Sequence, residues 1–208
     1  MPTRHDDALP THLQSTIRIH KGPVHVARLD AAGRYLLTGG SDRQIHLFNA
    51  SAAHDDGHGP PPAIKTYAAH AGAVLGLSIA HDNATFVSGG EDRNVLQWDV
   101  ATGRVLRRLS AHTGAVHVVS HCGADSTDAG AALGSDVVAT AGFDTTVRFY
   151  DLRARGAWKP IMACNEARDA ILCAAVHGHC VSTGCVDGVL RTYDVRAGAL
   201  REDTVDRA

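Results

Sequence analysis

Aromatic side chains are scarce in this chain: two Trp, four Tyr and four Phe make up 5% of 208 residues. A core built mainly on aromatic packing is therefore excluded, and each aromatic that recurs at a fixed place carries weight. Charge of one sign is also lacking, since 20 Lys and Arg face 22 Asp and Glu for a net charge of −2. That balance argues against the basic face through which proteins usually hold nucleic acid, so no direct nucleic-acid contact is expected. No apolar run approaches the roughly eighteen residues of a membrane span, and no membrane partner is expected. Residues 1–10 include Arg4, His5, Asp6 and Asp7 but no apolar stretch, unlike a secretory signal, which predicts a cytoplasmic or nuclear location. The five cysteines (Cys122, Cys164, Cys173, Cys180, Cys185) form no CxxC pair. They are expected as reduced thiols, three of them inside predicted strands as small apolar fillers.

What is present is repetition. Four phrases line up: Thr38-Gly-Gly-Ser-Asp42, Ser88-Gly-Gly-Glu-Asp92, Thr140-Ala-Gly-Phe-Asp144 and Thr183-Gly-Cys-Val-Asp187. Six positions after each aspartate stands an aromatic (Phe48, Trp98, Tyr150, Tyr193), followed by Asn49, Asp99, Asp151 and Asp194. A histidine precedes the aspartate by 22 positions in two copies, His20 and His70, and by 32 in the third, His112. The difference predicts a loop insertion over 122–135, rich in Gly, Ala, Asp and Ser. In the fourth copy Ala167 stands where the histidine is due.

Between these landmarks the sequence reads as short strands. Residues 24–29, 74–79, 116–120 and 171–176 are the first strand of each copy, and 35–38, 85–88, 137–140 and 180–183 the second. A third strand ends at each aromatic, and Leu13 to Ile19 reads as an additional strand. Many of these segments are apolar on both faces, as sheets stacked on sheets require.

The fixed residues can form a buried polar relay in which histidine, turn aspartate, strand hydroxyl and aromatic hydrogen-bond in series. Only the second copy has the full set, His70, Asp92, Ser88 and Trp98. The first has His20, Asp42 and Thr38 but ends on Phe48, which has no polar handle. In the third (His112, Thr140, Asp144, Tyr150) and the fourth (Thr183, Asp187, Tyr193) a tyrosine is expected to stand in for tryptophan. A relay missing a member should weaken its copy by about 1–3 kcal/mol per unpaired group, which makes the second copy the expected stability anchor.

These spacings resemble the WD40 repeat family, whose Gly-His and Trp-Asp dipeptides mark propeller blades. Here the first has become Ile19-His20, Ala69-His70 and Ala111-His112, and the second survives as Trp98-Asp99. The resemblance implies an all-β propeller of about four blades of antiparallel strands. It divides the chain into a disordered tail over 1–12, an array over 13–203 (blades about 20–68, 70–109, 112–163 and 167–203) and a tail over 204–208. Tyr35-Leu-Leu-Thr-Gly-Gly-Ser-Asp42, residues 89–99 and Asn165-Glu-Ala-Arg-Asp169 look more closely like the mitogen-activated protein kinase organizer family. That family is a seven-bladed, spliceosome-associated scaffold without catalytic residues. The resemblance therefore implies a non-enzymatic scaffold for kinase-cascade or spliceosomal proteins, with no cofactor. Four blades tuned for a seven-blade ring are expected to leave it open, with self-association through the open edge.

Three sharper readings compete with architecture. The pairs His20/Asp42, His70/Asp92 and His112/Asp144 could pass for catalytic couples, but an enzyme needs one active site and not three copies. The histidine clusters at 54–58 and 177–180 do not offer the four convergent ligands of a zinc site, so no metal is expected. Tyr150-Asp-Leu-Arg153 and Tyr193-Asp-Val-Arg196 look like the Trp-Asp-x-Arg box of cullin-4 ubiquitin-ligase substrate receptors, and Arg153 and Arg196 carry that alternative. Protein partners are expected at the loops on the aspartate side, through Lys21, Arg43, Glu91, Arg93, Phe143, Arg168 and Asp169.

Overall fold

Each of the four copies folds into the same antiparallel meander. The computed structural model describes residues 16–50, 62–109, 112–122, 136–153 and 158–204. Blade 1 comprises β1 (Val24–Leu29), β2 (Tyr35–Gly40), β3 (Ile45–Asn49) and β4 (Lys65–Tyr67). Blade 2 comprises β5 (Val74–Ile79), β6 (Thr85–Gly90), β7 (Val95–Asp99) and β8 (Val105–Leu109). Blade 3 comprises β9 (Val116–Cys122), β10 (Val137–Gly142), β11 (Val147–Asp151) and β12 (Met162–Cys164). Blade 4 comprises β13 (Ile171–His177), β14 (Cys180–Cys185), β15 (Val189–Asp194) and β16 (Ala199–Thr204).

The second strands run two residues beyond the predicted ends because both glycine-position residues still pair, as in Val24↔Gly40 and Val74↔Gly90. All five cysteines, not three, lie in strands, and all are free. Cys122, in the insertion expected over 122–135, ends β9, and Thr204, in the tail expected over 204–208, ends β16; the rest of both, the histidine cluster at 54–58 and the tail 1–12 fall outside the described residues. Of the extra strand expected over 13–19, the described part (16–19) is not strand. Among the described residues no helix is long and apolar enough to cross a membrane.

The inner strands β1, β5, β9 and β13 pack side by side in that order. All four line one cavity of about 280 Å³, bordered among others by Val26, Gly76, Val118 and Cys173. Glycine is required at Gly76, where a Cβ would sit 2.8 Å from the His117 carbonyl oxygen on the next inner strand.

Three apolar cores join successive blades. Leu37, Ile45 and Tyr67 of blade 1 meet Leu77, Phe86 and Trp98 of blade 2. Val87, Val95 and Leu109 of blade 2 meet Val138, Tyr150 and Leu152 of blade 3. Phe149 and Val147 of blade 3 meet Ile171, Val181 and Tyr193 of blade 4. In blades 2 to 4 the recurring aromatic thus lies in the core shared with the preceding blade. In the central blades β6 and β10 are buried on both faces. On β14 burial alternates, because among the described residues nothing packs on one face of blade 4, which leaves Leu172, Leu190 and Leu200 exposed. Among the described residues no apolar core joins blade 4 back to blade 1.

Candidate functional site

The turn between the second and third strands of each blade is the most regular feature of the molecule. In blade 1 the Arg43 N–H donates to the Gly40 carbonyl (3.2 Å) and the Ser41 N–H to the Pro23 carbonyl (2.9 Å). Equivalent pairs recur at Gly90/Arg93, Gly142/Thr145 and Cys185/Gly188. The residue after each aspartate takes a left-handed backbone: Arg43 (φ 67°), Arg93 (65°), Thr145 (61°) and Gly188 (82°). Only blade 4 uses the residue that adopts this conformation without strain.

Each turn aspartate is a hydrogen-bond hub. Its oxygens accept the N–H of the residue after the histidine position (Lys21, Ala71, Thr113, Arg168). They also accept the N–H two residues further along the turn (Gln44, Asn94, Thr146, Val189). In three blades a histidine completes the hub. His20 Nδ1 lies 2.9 Å from Asp42, His70 Nδ1 3.0 Å from Asp92 and His112 Nδ1 2.9 Å from Asp144. Their Nε2 atoms meet Thr38 (2.8 Å), Ser88 (2.7 Å) and Thr140 (2.7 Å).

Blade 2 carries the series to its end, with Trp98 Nε1–H donating to Ser88 Oγ at 2.8 Å. Every proton is then assigned: Trp98 donates to Ser88, Ser88 donates to His70 Nε2, and His70 Nδ1–H donates to Asp92. Burial pushes His70 below the ordinary histidine range against the pull of Asp92, in keeping with this neutral form. Burial also works to raise Asp92, but the Ala71 N–H and His70 outweigh it and hold the carboxyl below its usual range. Ser88, His70 and Asp92 share the connectivity of a hydrolytic triad, yet Ser88 is fully buried and its oxygen is already engaged by the indole.

Two expectations for the other blades need correction. Tyr150 and Tyr193 do not replace tryptophan, since both hydroxyls are buried without a well-formed hydrogen bond. The phenol carries its oxygen beyond the ring on the long axis, whereas the indole N–H sits on the ring edge beside Ser88. Burial raises both phenols, Tyr193 to about 12. Blade 4 also does more than omit a histidine. Arg191, 3% exposed, places Nη1 2.9 Å from Asp187 and donates from Nε to Glu202 at 2.9 Å. Asp187 is held well below the carboxylate range: burial opposes this, and the Arg168, Cys185, Val189 and Arg191 contacts prevail.

The missing imidazole explains Cys185 as well. At the matching position in blade 2, a Cβ on Gly90 would lie 2.8 Å from His70 Nδ1 and 2.9 Å from Asp92 Oδ1. With Ala167 in place of histidine the site admits a side chain, and Cys185 Sγ–H donates to the Asp169 carbonyl at 3.1 Å. The available signal was the residue four places after each aspartate: His46, Leu96, Arg148 and Arg191. It is basic in each blade that lacks tryptophan.

The residues expected to meet partners lie together on the rim formed by these turns. Lys21, Arg43, Glu91, Arg93, Arg168 and Asp169 are exposed, and Phe143 is 53% exposed although its ring meets His117 edge-on at 4.7 Å. Arg153 and Arg196 sit at the opposite ends of the strands, each after the aspartate that ends a third strand. The Arg153 guanidinium is bound by Asp151 through Nε (3.0 Å) and Nη2 (2.8 Å).

Residues 11–49 and 62–99 match the WD40 family, described as WD domain, G-beta repeat. Blades 1 and 2 are thus similar to WD40 repeats. Blades 3 and 4 repeat the same turns and sheets outside those matched segments. The chain is 25% identical over 195 residues to Autophagy-related protein 16 of Arabidopsis thaliana, covering 94% of this chain and 35% of that protein. It is 26% identical over 182 residues to Pre-mRNA-splicing factor cwf17 of Schizosaccharomyces pombe, covering 85% of this chain and 47% of the relative. In shape it is similar to the solved structure of U3-55K, with a TM-score of 0.75 at 14% identity over 91% of this chain and 54% of that one. The chain thus spans between about a third and a half of these proteins' lengths. The fold of U3-55K is the fold found here.

Proposed function

We propose that this WD40 chain is a non-enzymatic scaffold that binds protein components of a pre-mRNA splicing assembly, in the nucleus, through the turn-aspartate rim. The observation that carries the reading is the pair Arg43 and Arg93. Both are exposed, and both are held in a left-handed backbone that costs about 1 kcal/mol for a residue with a Cβ. Two long cations kept on strained, rigid turns are placed for contact rather than for stability. Phe143, between them and blade 4, adds an apolar anchor of the kind that partners cover. The likeness to a splicing factor supports the choice of assembly. A kinase-organising role draws its support from the sequence resemblance alone.

The ubiquitin-ligase reading is less well supported, because the Arg153 side chain is occupied by Asp151 on its own strand end. The test is affinity purification of the chain from nuclear extract with quantitative mass spectrometry, beside a variant carrying Arg43→Glu, Arg93→Glu and Phe143→Ala. Splicing proteins should be recovered with the native chain and lost with the variant. Recovery of the same proteins by both would overturn the assignment of the face, and absence of splicing proteins from both would overturn the function.

A further inference from the structure

Blade 1 holds a second buried imidazole beside its turn aspartate, at a position where no other blade has a histidine. His46 on β3 occupies the place of Leu96, Arg148 and Arg191, four residues after the turn aspartate. It is 3% exposed, and its Nδ1 is hydrogen-bonded to Thr66 Oγ1 at 2.9 Å. Its Nε2 is buried and has no hydrogen-bond partner. The ring meets that of His20 edge-on with centroids 4.6 Å apart. One donor atom from each of His20, Asp42 and His46 falls within a group spanning 4.8 Å, the sole such trio of His, Cys, Asp or Glu among the described residues.

We propose that His20, Asp42 and His46 bind a divalent transition-metal ion of the zinc class. Two imidazoles and one carboxylate, with water in the fourth position, are a donor set that this class accepts. Donors around tetrahedral zinc stand about 3.4 Å apart, so the trio needs to draw in by roughly an ångström. Thr66 fixes the His46 ring through the nitrogen that does not ligate, as outer partners of metal-binding histidines do. His20 ligates through Nδ1, the nitrogen facing Asp42. The His20 proton then resides on Nε2 and is donated to Thr38 Oγ1, which lies 2.8 Å away. Blades 2 and 3 are internal controls, since they keep the histidine–aspartate pair and have Leu96 and Arg148 in the place of His46.

The test is calorimetric titration of the full chain, free of any histidine tag, with Zn2+, beside His46→Leu, which copies blade 2. The native chain should bind one equivalent that the variant binds at least about tenfold more weakly. Zinc should raise the Tm of the native chain more than that of the variant. Independently of any variant, Co2+ added to the native chain should broaden the imidazole NMR signals of His20 and His46 before those of His70 and His112. Identical titrations for the two proteins, or broadening that spares His46, would overturn the site.

Discussion

Arg191 Nη1 lies 2.9 Å from Asp187 Oδ2 and gives blade 4 the cationic partner that its aspartate would otherwise lack. Three blades tie the turn aspartate to a histidine, and in the third of these Arg148 also stands 3.7 Å from Asp144. The fourth uses an ion pair with side chains 4% and 10% exposed, anchored further by Glu202. The substitution of one solution for the other spans three positions: Ala167, Cys185 and Arg191.

Arg191→Leu should therefore destabilise the chain by about 1–3 kcal/mol, because Asp187 is left as a half-buried, uncompensated carboxylate. Ala167→His alone should also destabilise, since Cys185 crowds the place of the imidazole. The triple variant Ala167→His, Cys185→Gly, Arg191→Leu rebuilds the arrangement of blade 2 and should recover most of the loss. Urea denaturation of the four proteins checks this, and a triple variant no more stable than Arg191→Leu refutes the exchange.

Ser88→Ala strands two groups at once, the Trp98 indole N–H and His70 Nε2. The expected cost is about 2–4 kcal/mol. Thr38→Ala strands only His20 Nε2 and should cost about half as much. Thermal melts that rank the two the other way would show that blade 2 is not the anchor.

Gly90→Ala should cost more than about 2 kcal/mol. The new methyl would meet His70 Nδ1 at 2.8 Å, Asp92 Oδ1 at 2.9 Å and the Ala73 carbonyl at 3.0 Å, and none of these can retreat without breaking the hub. Cys185→Gly, at the equivalent site of blade 4, should change stability far less. Equal losses in urea titrations would count against a packed histidine at Gly90.

Acid should weaken the fold before any carboxylate titrates. Burial pushes His121 down to about 4, while its Nδ1 bonds Ser78 of the neighbouring blade at 2.8 Å. An unfolded histidine titrates near about 6.5. Between these values the unfolded chain binds the proton and the native chain does not. Stability is therefore complete above about pH 6.5 and falls as pH drops toward about 4, by up to about 3 kcal/mol from this group. The depressed aspartates Asp42 and Asp92 then add losses below about pH 4, where the unfolded carboxyls take protons first. His121→Gln should flatten the dependence between pH 7 and 5 in urea denaturation; an unchanged slope assigns it elsewhere.

Arg93→Gly should raise stability by about 0.5–1 kcal/mol, because glycine takes the left-handed turn without strain. The same change should weaken partner binding if the rim is the contact face. A variant that is both more stable and fully competent in pull-downs would remove Arg93 from that face.

Much of this architecture was legible in the sequence because the hub residues recur at constant spacing. The first and second strands of each blade begin where the pattern puts them, and His70, Asp92, Ser88 and Trp98 meet in one chain of hydrogen bonds. What escaped was the residue between landmarks. Arg191 and His46 lie four places after an aspartate, and in the linear pattern a basic residue on a strand reads as a solvated one. Only the sheet register, which sets Thr183 opposite Arg191, turns that side chain inward toward the aspartate. The tyrosine error had a different origin: hydrogen-bonding capacity was matched without the position of the donor on the ring.

The two tryptophans stand at opposite extremes of exposure, Trp98 at 1% with its N–H committed to Ser88 and Trp158 at 62% beside the Lys159 ammonium. They form a built-in pair of optical channels. Soluble quenchers should reach the fluorescence of Trp158 in the native state and that of Trp98 only once blades 1 and 2 part. The indole proton of Trp98 should likewise exchange with deuterium on the timescale of that opening. One residue thus reports the seam between two blades while the other reports solvent.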